Sequence, residues 1–109
     1  MSFAPGFTPT LLLSSPEETE DLSAVTGITV TMECGGYKIN KSGSDVLVTS
    51  STEVEVTLTQ EETLSMWGRI VRIQLNWLYP GTALRWGTDP PAEITLDEQL
   101  LREVLTDGA

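Results

Sequence analysis

The sequence predicts an all-β domain of seven or eight short antiparallel strands, a sandwich or a barrel. Three observations carry that expectation. Apolar and polar residues alternate with period two: Ile28, Val30, Met32 and Cys34 against Thr29, Thr31 and Glu33; Val54, Val56 and Leu58 against Glu53, Glu55 and Thr57; Val71, Ile73, Leu75 and Trp77 against Arg72, Gln74 and Asn76. This is the pattern of a strand with one buried face. Turn-forming clusters separate the runs, at Gly35-Gly36, Ser42-Gly43-Ser44-Asp45, Ser50-Ser51-Thr52 and Pro80-Gly81. Their spacing is even, as it is in sandwiches and barrels.

In chain order the expected strands cover residues 8–13, 28–34, 37–41, 46–49, 53–58, 71–77, 84–88 and 92–96. Two stretches break the rhythm. Thr59-Gln60-Glu61-Glu62 is a T-x-x-E capping box, with Leu64 and Met66 behind it. There the threonine hydroxyl accepts an amide three residues on while the glutamate reaches back, so one helical turn is expected near 60–66. Thr95-Leu96-Asp97-Glu98 repeats the pattern ahead of Leu100, Leu101, Val104 and Leu105, which share a face at helical spacing. A short C-terminal helix is expected over 97–105, packed on the sandwich end or on a partner. Pro90-Pro91 interrupts the last strand, which places that strand at an edge.

Composition narrows the function. With 109 residues the chain has room for one domain, residues 1–109. Lys+Arg number 6 and Asp+Glu 16, a net charge of −10 that repels polyphosphate, so no nucleic-acid partner is expected. The chain has no histidine, which removes Ser-His-Asp and Cys-His nucleophiles and imidazole-ligated zinc. The single Cys34 cannot form an internal disulfide, and it follows the apolar phase of its strand, where it reads as a small buried hydrophobe. No basic n-region precedes an apolar run at the start, and the longest apolar stretch is Leu11-Leu12-Leu13, far short of the ~20 residues of a membrane helix. The expected compartment is therefore a reducing cytoplasm, with no membrane partner.

The carboxylates have ordinary explanations. Glu61-Glu62 sits in the capping box, Glu53 and Glu55 share the solvent face of a strand, and Glu17-Glu18-Thr19-Glu20-Asp21 is a solvated loop. No calcium loop, nucleophile elbow or phosphate loop occurs, so neither an enzyme nor a cofactor is expected. Trp77 falls on an apolar phase and is the expected core anchor. Trp67, Tyr79 and Trp86, with Leu101 and Val104 of the C-terminal segment, are the candidate interface residues, because aromatic and large apolar side chains anchor protein contacts. A second reading gives Trp67 and Trp86 a carbohydrate or cell-surface ligand, which requires both rings on one face.

The nine residues Val56-Thr57-Leu58-Thr59-Gln60-Glu61-Glu62-Thr63-Leu64 carry a resemblance. Gly6-Phe7-Thr8-Pro9-Thr10 precedes them, Val71-Arg72-Ile73-Gln74-Leu75 follows, and an apolar-acidic tail from Asp97 to Leu105 ends the series. In this order they resemble small proteins encoded in Firmicutes prophages among the virion genes of long-tailed phages. The hairpin between Trp77 and Trp86 and the Pro90-Pro91 break depart from that pattern. The resemblance implies an immunoglobulin-like sandwich with a structural or adaptor role in the phage tail or baseplate region. It also implies other phage structural proteins as partners and homo-oligomerisation as an option. It carries no catalytic or cofactor residues.

Overall fold

Strand β7 (Ile70–Leu78) has the longest unbroken alternation in the chain, and the larger sheet is built around it. The computed structural model describes residues 2–14, 22–79, 81, 83, 85–87 and 91–106, the Trp86 side chain excepted. Among these the other strands are β1 (Ser2–Phe3), β2 (Thr10–Ser14), β3 (Thr26–Cys34), β4 (Tyr37–Ser42), β5 (Val46–Val48), β6 (Glu53–Thr57), β8 (Arg85–Gly87) and β9 (Ala92–Leu96). One sheet runs β1-β9-β7-β3-β4, with β8 also on β7; the other runs β2-β6-β5.

The fold is a β-sandwich. Strands β2, β6 and β5 take the places of B, E and D in an immunoglobulin domain, and β9, β7, β3 and β4 those of G, F, C and C′, the variable-type order. Every strand expected from the alternation is present, with bounds shifted by no more than two residues. The addition is β1, which pairs parallel to β9 with Ser2 opposite Thr95. Two residues are too few to show a period.

Strands β8 and β9 both lie on the edge of β7 away from β3, against Asn76–Leu78 and Ile70–Ile73. The last strand is not the edge that the double proline suggests, because β1 pairs outside β9 at Thr95 and Leu96; Pro90 itself lies outside the described residues, as do Pro80 and the acidic loop 17–21. The core lies between the sheets. Val30, Met32, Val71, Leu75 and Trp77 from the larger sheet meet Leu11, Val54 and Val56 from the smaller one. Trp77 is the anchor anticipated, and its Nε1 is the buried side-chain polar atom without a hydrogen-bond partner among the described residues.

Helix α1 (Gln60–Leu64) is the expected helical turn. Glu62 N–H donates to Thr59 Oγ1 at 3.2 Å and Thr59 N–H donates to Glu62 Oε1 at 2.8 Å. The second helix is a correction. Residues 97–106 form no helix, and Leu100 is 93% exposed. Thr95, which would have served as the cap, is committed to β9 opposite Ile70. A segment this short is not stable as a helix without a surface to bury its apolar stripe, and none among the described residues covers it.

Thr63 of α1 is fully buried and joins the helix to the chain's beginning. Its hydroxyl accepts from Gly6 N–H at 2.8 Å and donates to the Phe7 carbonyl at 2.8 Å. Thr63→Val keeps the shape and strands both groups. It is expected to cost about 2 kcal/mol in urea unfolding, with Thr63→Ser retaining most of that.

Candidate functional site

At the C-terminal end of α1 the chain must turn back into β7, and Trp67 occupies that turn. Its backbone is fixed from the β3–β4 hairpin: Cys34 Sγ donates to the Trp67 carbonyl at 3.1 Å. The adjoining two-residue turn, Gly35-Gly36, has φ of 58° and 87°, the sign that a two-residue hairpin of the primed type needs. A Cβ on Gly35 would run into the Trp67 carbonyl oxygen, so the close approach also requires glycine. With its backbone held inward, the Trp67 indole points out and is 60% exposed.

The C-terminal segment crosses over this indole. It begins where Leu96 N–H donates to the Arg69 carbonyl and Asp97 N–H to the Phe3 carbonyl, both at 2.7 Å. Arg102 then places its guanidinium 3.7 Å from the Trp67 ring centroid and donates to the carbonyls of Leu64 and Met66 at 2.9 and 3.0 Å. Carbonyls at a helix end lack intrahelical donors, and an arginine meets that need while stacking on an aromatic face. Further on, Gln60 Nε2 donates to the Leu105 carbonyl at 2.9 Å and Leu105 N–H donates to Gln60 Oε1 at 2.8 Å. The glutamine amide thereby makes the reciprocal pair that a neighbouring strand would make.

These contacts are polar, and the segment's apolar side chains stay outside them. Leu100, Leu101, Val104 and Leu105 are all exposed. Beside them lies a groove of about 660 Å³ bordered by Met66, Trp67, Arg69, Asp97, Glu98 and Arg102. Its rim carries both signs of charge.

The sequence-derived interface residues divide between two ends of the molecule. Trp67, Leu101 and Val104 gather at the α1 end. Tyr79, half-buried, follows the far end of β7, and Trp86 lies opposite Trp77 in register, its side chain outside the described residues. Ile70 and Trp77 are separated by about 23 Å of strand at ~3.3 Å per residue, so Trp67 and Trp86 stand far apart. That backbone separation is too great for a joint carbohydrate platform. Arg102, moreover, already covers one face of the Trp67 ring.

Sequence reasoning missed Arg102, Gln60 and Lys41. Lys41 left a usable signal: it continues the inward phase of Tyr37 and Ile39, and a lysine on an apolar phase needs a counter-charge. The structure supplies it, with Lys41 Nζ 2.7 Å from Glu62 Oε1. Burial pushes the Glu62 carboxyl up, but the Lys41 ammonium and the Thr59 amide together outweigh it, and the group sits below the usual carboxylate range. Cys34 moves the other way: burial first, then the Glu33 charge, raise its thiol, consistent with an inert core residue. Among the described residues no three His, Cys, Asp or Glu side chains come together as a metal-binding group. None of the described helices is long and apolar enough to cross a membrane.

Comparison with protein-family models, with curated proteins and with solved structures finds no match.

Two outcomes follow. Because the folded pKa of Glu62 lies below its unfolded value, the ionised group stabilises the fold above the ordinary carboxylate range, and that contribution is lost as pH falls through the folded value. Glu62→Gln should flatten the acid side of the stability profile, read by urea unfolding from pH ~7 to pH ~3. Arg102→Ala should release the C-terminal segment, raising amide exchange at Leu105 by about tenfold while costing about 1 kcal/mol or less of global stability.

Proposed function

We propose that this chain is a non-catalytic structural or adaptor module that associates with other proteins through the α1 end of its sandwich. One observation carries the reading: Leu100, Leu101, Val104 and Leu105 are exposed on a segment already fixed by Arg102 and Gln60. Apolar side chains held in place yet uncovered are the preordered half of an interface, since much of the ordering cost of binding is already met. Trp67 and Arg102 beside them are residue types enriched at the energetic centres of such contacts.

The sequence resemblance supports a setting for this module. It favours a phage or prophage virion component in the tail or baseplate region, made and assembled in the host cytoplasm. The net charge of −10 suits a subunit that must stay soluble until it meets its neighbours. Absence of histidine and the occupation of Glu62 by a cap and an ion pair both favour association over catalysis.

Co-expression with the products of neighbouring genes, followed by sizing, tests the proposal. A discrete complex is expected, weakened by about tenfold or more when Leu101→Asp and Leu105→Asp are combined. Both residues are exposed, so the melting temperature should hold. Equal binding by the variant, or no complex with any neighbour, would overturn the reading.

A further inference from the structure

The sheet edges of this sandwich are not equally guarded. Strand β4 carries Lys38 and Lys41, β5 is three residues long and β1 two. Short length and lysines are the usual means of keeping an edge from pairing with another chain. Strand β2 has neither: Thr10-Leu11-Leu12-Leu13-Ser14 is five residues without a charge, a proline or a break in register. It lies at the end of its sheet, and among the described residues no strand pairs with its outer edge.

The parity of that edge can be read from one bond. Leu58 N–H donates to the Pro9 carbonyl at 3.0 Å, and the register continues as Thr10 opposite Thr57 and Leu11 opposite Val56. Hydrogen-bonded pairs alternate along an antiparallel ladder, so Leu11 and Leu13 bond inward to β6. Thr10, Leu12 and Ser14 therefore turn their N–H and C=O groups to the open edge.

We infer that β2 is a self-pairing edge and that its occupant is the β2 strand of a second copy, antiparallel about a twofold axis at Leu12. The segment is nearly symmetric about that residue. Leu12 meets Leu12, and Thr10 meets Ser14 on either side, with roughly six hydrogen bonds across the seam. On the outer face the exposed Leu12 pair is covered from the side; on the inner face Leu13, half-buried against the core, gains the other copy's Leu11. The three-stranded sheet becomes a continuous six-stranded one.

Charge decides between a second copy and repulsion. The acidic residue in register with Leu12 is Glu55. In the pair, the two Glu55 residues are three strand spacings apart, about 14 Å. That exceeds the Debye length of about 8 Å at physiological ionic strength, so the two Glu55 residues are screened from each other across the seam. This inference is independent of the α1-end reading, because a different face and different residues carry it.

Light scattering behind a sizing column, over a hundredfold concentration range, is the test. The expected species has twice the chain mass, and Leu12→Lys should raise its dissociation constant by roughly tenfold or more. Leu47→Lys, on the same outer face but on β5, should leave it unchanged. Leu12→Cys should form a disulfide-linked dimer under mild oxidation, since paired residues on facing strands lie within bridging distance, whereas Leu47→Cys should not. A monomer at every concentration overturns the inference. So does a dimer insensitive to Leu12→Lys, or one abolished by Leu101→Asp instead, which would place the contact on the C-terminal segment.

Discussion

A five-residue helix does not stand alone, and everything at one end of this sandwich is referenced to one. The reciprocal cap between Thr59 and Glu62 makes α1 a fixed object, and nearly every residue of it then serves a different part of the chain. Gln60 pairs with Leu105, Glu62 with Lys41, Thr63 with Gly6 and Phe7, and the Leu64 carbonyl receives Arg102. Chain segments far apart in sequence are thus positioned by a single turn. Removing the cap would loosen the N-terminal segment, the β4 contact and the C-terminal segment together.

Elsewhere the molecule is held by burial. The inner faces of the two sheets contribute β-branched and long aliphatic side chains around Trp77, and the free thiol of Cys34 packs among them without chemistry. Charge is kept almost wholly outside. The exception among the described residues is Lys41 with Glu62, a pair in which either charge left without the other would be costly, so that one arrangement is fixed. Here that arrangement sets β4 against α1.

The sequence revealed what depends on local rules. Alternation located the strands because one face of each is buried, and the T-x-x-E pattern located α1 because its cap is a contact between near neighbours. The same pattern misled at Thr95, whose backbone was claimed by pairing with β7, a partner some distance back in the chain. Local capping lost to tertiary pairing. The candidate surface was half legible: exposed Trp67, Leu101 and Val104 could be named, but the stacking of Arg102 on Trp67 depends on how residues 97–106 leave β9, and no periodicity encodes that path. Tyr79 and Trp86 looked equivalent to Trp67 in composition, yet the length of β7 separates them from it.

Pairing of Ser2 with Thr95 has a consequence for biosynthesis. Ribosomes elongate at roughly 5–20 residues per second, so Ser2 and Phe3 leave the exit tunnel several seconds before their partner strand exists. The β3–β4 hairpin and the β2-β6-β5 sheet can be completed in that interval, because all their strands precede β7. The larger sheet cannot. Its central strand is made late and its closing strand later still, so the nascent chain carries one finished sheet whose inner face lacks the cover of β7 until that strand emerges. Translation speed, more than any single contact, sets how long that face stays open to other nascent chains.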